Sequence, residues 1–183
     1  MKKILLVMVA FLPLVIFAQE DAKKQMTKFE EFTSKTGSIV KFIDVEMPRL
    51  PLNYTGSLET GIRSIKVGSN AYFYRLEKAE ASSSLSKIAM IEYSDLVEIN
   101  KALTKLVTEV DGDIASNPDY LENKFKTVDG FEVGYYISHG KANWFLRLER
   151  YSSSTVFVKN QSVIVEAFKN AQIKIEELMS TVK

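Results

Sequence analysis

The chain has 183 residues with one histidine, one tryptophan, no cysteine and a formal net charge of +1. With 46% hydrophobic and 26% charged residues it has the makeup of one folded domain and not of a collagen-like or disordered chain. The missing cysteines remove disulfides, thiolate zinc sites and cysteine nucleophiles, and the solitary His139 removes multi-histidine metal centres within one chain.

Residues 1–18 have the layout of a secretory signal peptide. Lys2 and Lys3 precede an apolar run from Ile4 to Phe17, and the small Ala18 closes it before Gln19-Glu20-Asp21. That run is short of the roughly 20 residues that span a bilayer, and Pro13 interrupts it, so cleavage after Ala18 is expected over an uncleaved anchor. Loss of Lys2 and Lys3 turns the excess of 24 basic over 23 acidic residues into a deficit, for a net charge of about −1. The expected product is exported, periplasmic or secreted, with no integral membrane association after cleavage. It also lacks the broad basic field that drives nucleic-acid binding, which argues against a nucleic-acid partner.

In the mature chain, residues 19–183, Met26, Phe29 and Phe32 at spacing three suggest a short helix ending near Gly37, with a strand as the alternative over residues 21–35. Ser38–Glu46 is read as a first strand. Met47–Thr60, with Pro48, Pro51 and Gly56, is read as an irregular insertion, and Ile62–Val67 as a second strand. A glycine turn at Gly68-Ser69-Asn70 leads into Tyr72-Phe73-Tyr74-Arg75-Leu76-Glu77-Lys78, whose period of two marks a strand. After the serines 82–84, Leu85–Glu92 is a further strand. Asp95 with Glu98 resembles a capping box that opens a helix with the stripe Leu96, Ile99, Leu103, Leu106, Val107 and Val110.

Asp111–Asp119, with Gly112 and Asn117-Pro118, is a polar connector. Beyond it the plan repeats. Leu121–Val128 and Phe131–His139 are strands around an Asp129-Gly130 turn, and Gly140 precedes Trp144-Phe145-Leu146-Arg147-Leu148-Glu149-Arg150. That heptad matches residues 72–78 in identity or chemical type at every position, 72 residues on, and a second serine triplet, 152–154, follows it. Thr155–Lys159 is a last strand, and Asn160 caps a helix with Ile164, Ala167, Phe168, Ala171, Ile175 and Leu178 on one face.

The fold class is therefore α+β: a tandem β-β-β-β-α duplication with antiparallel sheets and two long helices. Repeat one covers about residues 38–110, the connector 111–120 and repeat two about 121–180. This order resembles the duplicated four-strand-plus-helix plan of the plant Whirly proteins and the single-stranded-DNA-binding transcriptional coactivators. The resemblance spans roughly residues 38–180, is architectural, and implies a fold but no binding residue.

Candidate chemistry is sparse. His139 aligns with Val67 at a strand end, which favours a structural position over a triad base, and no G-x-S-x-G elbow is present. Asp111, Asp113, Asp119 and Glu122 offer oxygen ligands or hydrolytic carboxylates, but Ala115 breaks the EF-hand spacing, so a solvated loop is expected. There is no P-loop, dinucleotide fingerprint or zinc spacing, and no cofactor or metal is expected. The sharper candidate is Phe73, Arg75, Phe145 and Arg147. If helices cover the Tyr72/Trp144 face, these side chains form a duplicated aromatic and guanidinium pair on the other face, suited to anions or planar ligands. The competing reading is a structural ladder in which Glu77 and Glu149 neutralise the arginines and the amino-terminal segment covers the phenylalanines. A third use is a homodimer interface. The expected function is a non-enzymatic binding or interaction module for an unknown protein or small ligand. A carboxylate-based hydrolase and single-strand nucleic-acid binding through the sheet face are the alternatives.

Overall fold

The computed structural model describes residues 26–34, 37–54, 56–79, 86–149 and 155–181. The expected signal peptide and both serine triplets lie outside the described residues. The expected α+β architecture is present: the described residues form two antiparallel four-stranded sheets and three helices.

Helix α1 is Lys28–Thr33, so the amino-terminal spacing resolves as a helix. Its start is set by a reciprocal capping box, Thr27 Oγ1 accepting from Glu30 N at 3.2 Å and Glu30 Oε2 accepting from Thr27 N at 2.8 Å. Strands β1 (Lys41–Pro51), β2 (Ser57–Val67), β3 (Ser69–Lys78) and β4 (Lys87–Glu92) pair in chain order, as do β5 (Leu121–Lys126), β6 (Glu132–Ser138), β7 (Lys141–Arg147) and β8 (Thr155–Phe157). Helix α2, Tyr93–Ala115, follows the first sheet and helix α3, Gln161–Ser180, the second.

Four sequence expectations need correction, the fourth being the place of His139, which lies in a turn. Met47–Thr60 is mostly strand: β1 runs through Pro51 and β2 begins at Ser57. Pro48 is tolerated because β1 is an edge strand and its register shifts between Met47 and Leu50. Asp95 does not cap α2. Glu92 does, accepting from Ser94 N at 2.8 Å, while Asp95 binds Lys28 Nζ at 2.7 Å and ties α1 to the helix. The connector is shorter than expected because α2 continues to Ala115, placing Asp111 and Asp113 on the helix.

The turns follow backbone chemistry. His139 (φ 52°) and Gly140 (φ 69°) form the two-residue loop between β6 and β7, and consecutive positive φ values match the twist of the hairpin. His139 therefore sits in the turn itself and not at a strand end. Its Nδ1 lies 2.8 Å from Ser138 Oγ, a contact between chain neighbours.

Each half lends its helix to the other. Helix α3 packs on β1, β2 and β3, while α2 packs on β5, β6 and β7 as well as β3 and β4. The two helices run antiparallel, with Asn100 Nδ2 donating to Gln172 Oε1 at 2.7 Å and Tyr93 OH to Glu176 Oε1 at 3.0 Å. Phe168 of α3 lies edge-on to Tyr74 at 5.3 Å between centroids and 5.8 Å from Phe131, so one ring joins both halves. The predicted stripes face the core: Leu96, Ile99, Leu103, Leu106 and Val110 on α2 and Ile164, Phe168, Ala171 and Ile175 on α3 are buried, while Val107, Ala167 and Leu178 are partly buried. They close one continuous core against Tyr72, Tyr74, Tyr135 and Trp144.

Candidate functional site

The outer faces of the two sheets, turned away from α2 and α3, carry the residues singled out from the sequence. On the first sheet, Phe73 is fully buried. Phe29 and Phe32 of α1 meet its ring edge-on at 5.5 and 5.9 Å, forming a small second core with Ile65 and Ala71. Arg75 pairs along its own strand with Glu77, and Arg63 makes a two-pronged bond to Asp44 (2.8 and 2.6 Å) across β1 and β2. The hydrogen bond from Arg63 holds the Asp44 carboxyl below its ordinary range, and the Arg63 guanidinium is held correspondingly high. Both arginines of this face are thus neutralised by a carboxylate.

The second sheet differs because one exchange reverses its polarity. Where β2 places Gly61 opposite Arg75 and Arg63 opposite Phe73, β6 places Glu132 opposite Arg147 and Gly134 opposite Phe145. A side chain on Gly134 would strike Asn123 O at 2.2 Å and Lys124 Cα at 2.7 Å, so glycine is what lets β5 approach here. Lys124 and Lys126 then reach Glu132 at 3.2 and 3.0 Å, and Arg147 pairs with the same carboxylate. Three cations thus surround a carboxylate that is 3% exposed. Burial alone would push the Glu132 carboxyl up, but Lys126, Lys124 and Arg147 together hold it below its ordinary range. Glu122 engages Lys124 at 2.6 Å and accepts from Tyr120 OH at 2.6 Å, and these two bonds also hold its carboxyl low.

Beside the cluster runs an aromatic row across the sheet. Tyr120, 62% exposed, stacks on Tyr136 at 6.2 Å, and Tyr136 meets Phe157 edge-on at 6.1 Å. Phe145 is only 2% exposed, with the Arg147 guanidinium 6.0 Å from its ring centroid. Of the four predicted residues, then, the two phenylalanines are buried on the outer faces and not open to a ligand, Arg75 is bound to Glu77, and Arg147 joins a basic cluster. Sequence reasoning missed Lys124, Lys126 and Glu132. Their signal was the alternation of Glu122, Lys124 and Lys126 on β5, but their partner is fixed by cross-strand register. Glu149, the expected partner of Arg147, instead accepts from Ile88 N at 3.3 Å.

The acidic candidates disperse. Asp113 accepts from Tyr135 OH at 2.6 Å, and both it and Glu109 accept from Asn123 Nδ2 at 3.4 and 2.9 Å, which pins the end of α2 to β5 and β6. Burial, and then the bond to Asp113, raise the Tyr135 hydroxyl to about 12. Asp111 and Asp119 are exposed. Among the described residues no group of three or more acidic or histidine side chains could hold a metal ion, and no helix is long and apolar enough to cross a membrane. No protein-family model, curated protein or solved structure matches the chain.

Proposed function

We propose that this chain is an exported, non-enzymatic binding module and that its working surface is the outer face of the second sheet. The observation that carries this reading is the gathering of Lys124, Lys126 and Arg147 around the buried Glu132, next to the Tyr120–Tyr136–Phe157 row. Glu132 fixes the positions of all three cations, and with Glu122 it balances two of their charges, so one positive charge remains beside aromatic surface. The chemistry suits a ligand that combines an anionic group with a planar or apolar body, on a protein or a small molecule. Export is supported by the charged start, apolar run and small Ala18 of residues 1–18.

Naphthalene-2-sulfonate is a suitable probe, read by amide chemical-shift changes. Saturable shifts centred on β5–β7 are expected, with affinity reduced about tenfold in Lys124→Ala/Lys126→Ala while the fold is kept. Shifts scattered over the surface, or unchanged affinity in the double variant, would overturn the assignment. A single-stranded oligonucleotide titrated in parallel tests the nucleic-acid alternative, because affinity through phosphates must fall steeply with salt.

A further inference from the structure

A recess of about 290 Å³ lies between β1 and the first half of α3. It opens where the register of β1 shifts between Met47 and Leu50, taking Pro48 and Arg49 out of regular pairing with β2. Met47 and Pro48 form the strand wall, Val163 and Ala167 the helix wall, and the buried Leu50 and Tyr74 the floor. The polar atoms at its base are already engaged. Thr60 Oγ1 donates to Pro48 O at 2.9 Å, and the Tyr74 side chain is buried with Thr60 at the lining of the recess. Whatever enters must therefore present an apolar body, and the volume, at the small end of ligand cavities, has room for one ring with a short tail.

The mouth carries one charge of each sign, Arg49 and Glu166. On the strand side Arg49 is held by Glu59 at 2.9 Å. On the helix side the exposed Glu166 makes no ion pair among the described residues, and Asn170 stands one turn further on. A carboxylate with an amide beside it, above an apolar floor, complements an ammonium head on a small hydrophobic body.

We infer that the recess between β1 and α3 is a binding site for a small cationic amphiphile, with its apolar part against Leu50 and Tyr74 and its ammonium at Glu166. This site is separate from the Glu132 cluster and does not depend on it.

Three probes that share a phenylethyl body separate the contributions: 2-phenylethylammonium, 2-phenylethanol and 3-phenylpropionate, each titrated while amide shifts of β1 and α3 are followed. The expected order of affinity is ammonium, alcohol, carboxylate, with a preference of about 2- to 5-fold for the ammonium over the alcohol, as befits an exposed ion pair. Glu166→Gln should erase that preference and leave the alcohol unchanged. Ala167→Trp, which fills the recess from the half-buried face of α3, should abolish the shifts from all three. Equal affinity for the three probes, an undiminished preference in Glu166→Gln, or shifts that map away from β1 and α3 would overturn the proposal. Because Glu166 is a surface residue, its substitution keeps the test valid even if Ala167→Trp fails to fold.

Discussion

Glu132 and Arg147 stand directly opposite one another on β6 and β7, and their ion pair sets a guanidinium against a carboxylate that is almost wholly removed from water. In the first half the position opposite Arg75 is Gly61, so the related arginine has no cross-strand carboxylate and turns along its own strand to Glu77. The same heptad thus yields a closed pair in one half and a basic cluster in the other.

Glu132→Ala should destabilise the fold by about 1–3 kcal/mol, because Arg147, Lys124 and Lys126 lose a shared counter-charge while still partly shielded from water. Glu77→Ala, which removes a more accessible pair, should cost less than about 1 kcal/mol. Urea denaturation of both variants checks the order. Equal losses would mean that the buried cluster contributes no more than an ordinary surface pair.

Acid should weaken the protein through identified groups. Asp44, Glu122 and Glu132 are all held below their ordinary ranges in the folded state. A carboxyl depressed on folding contributes stability that is complete above its unfolded value and disappears as pH falls through the folded one. Unfolding free energy should therefore be flat near neutrality and fall below about pH 4.5. In Glu132→Gln the decline should be shallower, and an unchanged slope would remove Glu132 from the account.

Gly134→Ala tests the close approach of β5 to β6. The added methyl meets strand backbone at 2.2 Å, which cannot move aside as a flexible side chain would. A loss of about 1–3 kcal/mol or more is expected. At Gly61 the nearest atom, Val45 O, lies at 3.0 Å, so Gly61→Ala should cost less. Thermal melts of the two variants give the comparison, and a smaller loss at Gly134 would contradict the geometry.

Local chemistry made much of this fold readable from the residues. The repeated heptads fix β3 and β7, their period of two separates Tyr72 and Trp144 from Phe73 and Phe145, and Asn160 caps α3 as expected, its Oδ1 accepting from Val163 N at 3.1 Å. The misread segments were decided by tertiary context. Pro48 signals a break unless its strand lies at an edge, and α2 outruns Gly112 to a point where Tyr135 and Asn123 hold Asp113. The candidate site was half legible for the same reason. Arg147 was visible in its repeat, whereas Lys124, Lys126 and Glu132 become its neighbours only once β5, β6 and β7 are in register.

The exchange of helices predicts how the chain folds. A four-strand-plus-helix unit cut free near Asn117 would keep its sheet but lose the helix that covers most of it, since α3 covers β1–β3 and α2 covers β5–β7. Tyr74 would lose Phe168, and Tyr135 would lose its bond to Asp113. Exposed sheet cores of this size cannot offset the entropy of ordering roughly seventy residues. Separate fragments 26–117 and 118–183 should therefore lack dispersed amide spectra when alone and regain them when mixed in equal amounts. The intact chain should unfold in one transition, with circular dichroism and Trp144 fluorescence coincident. A fragment that folds by itself, or two resolved transitions, would show that the halves are independent units and that the crossed helices are not what holds them together.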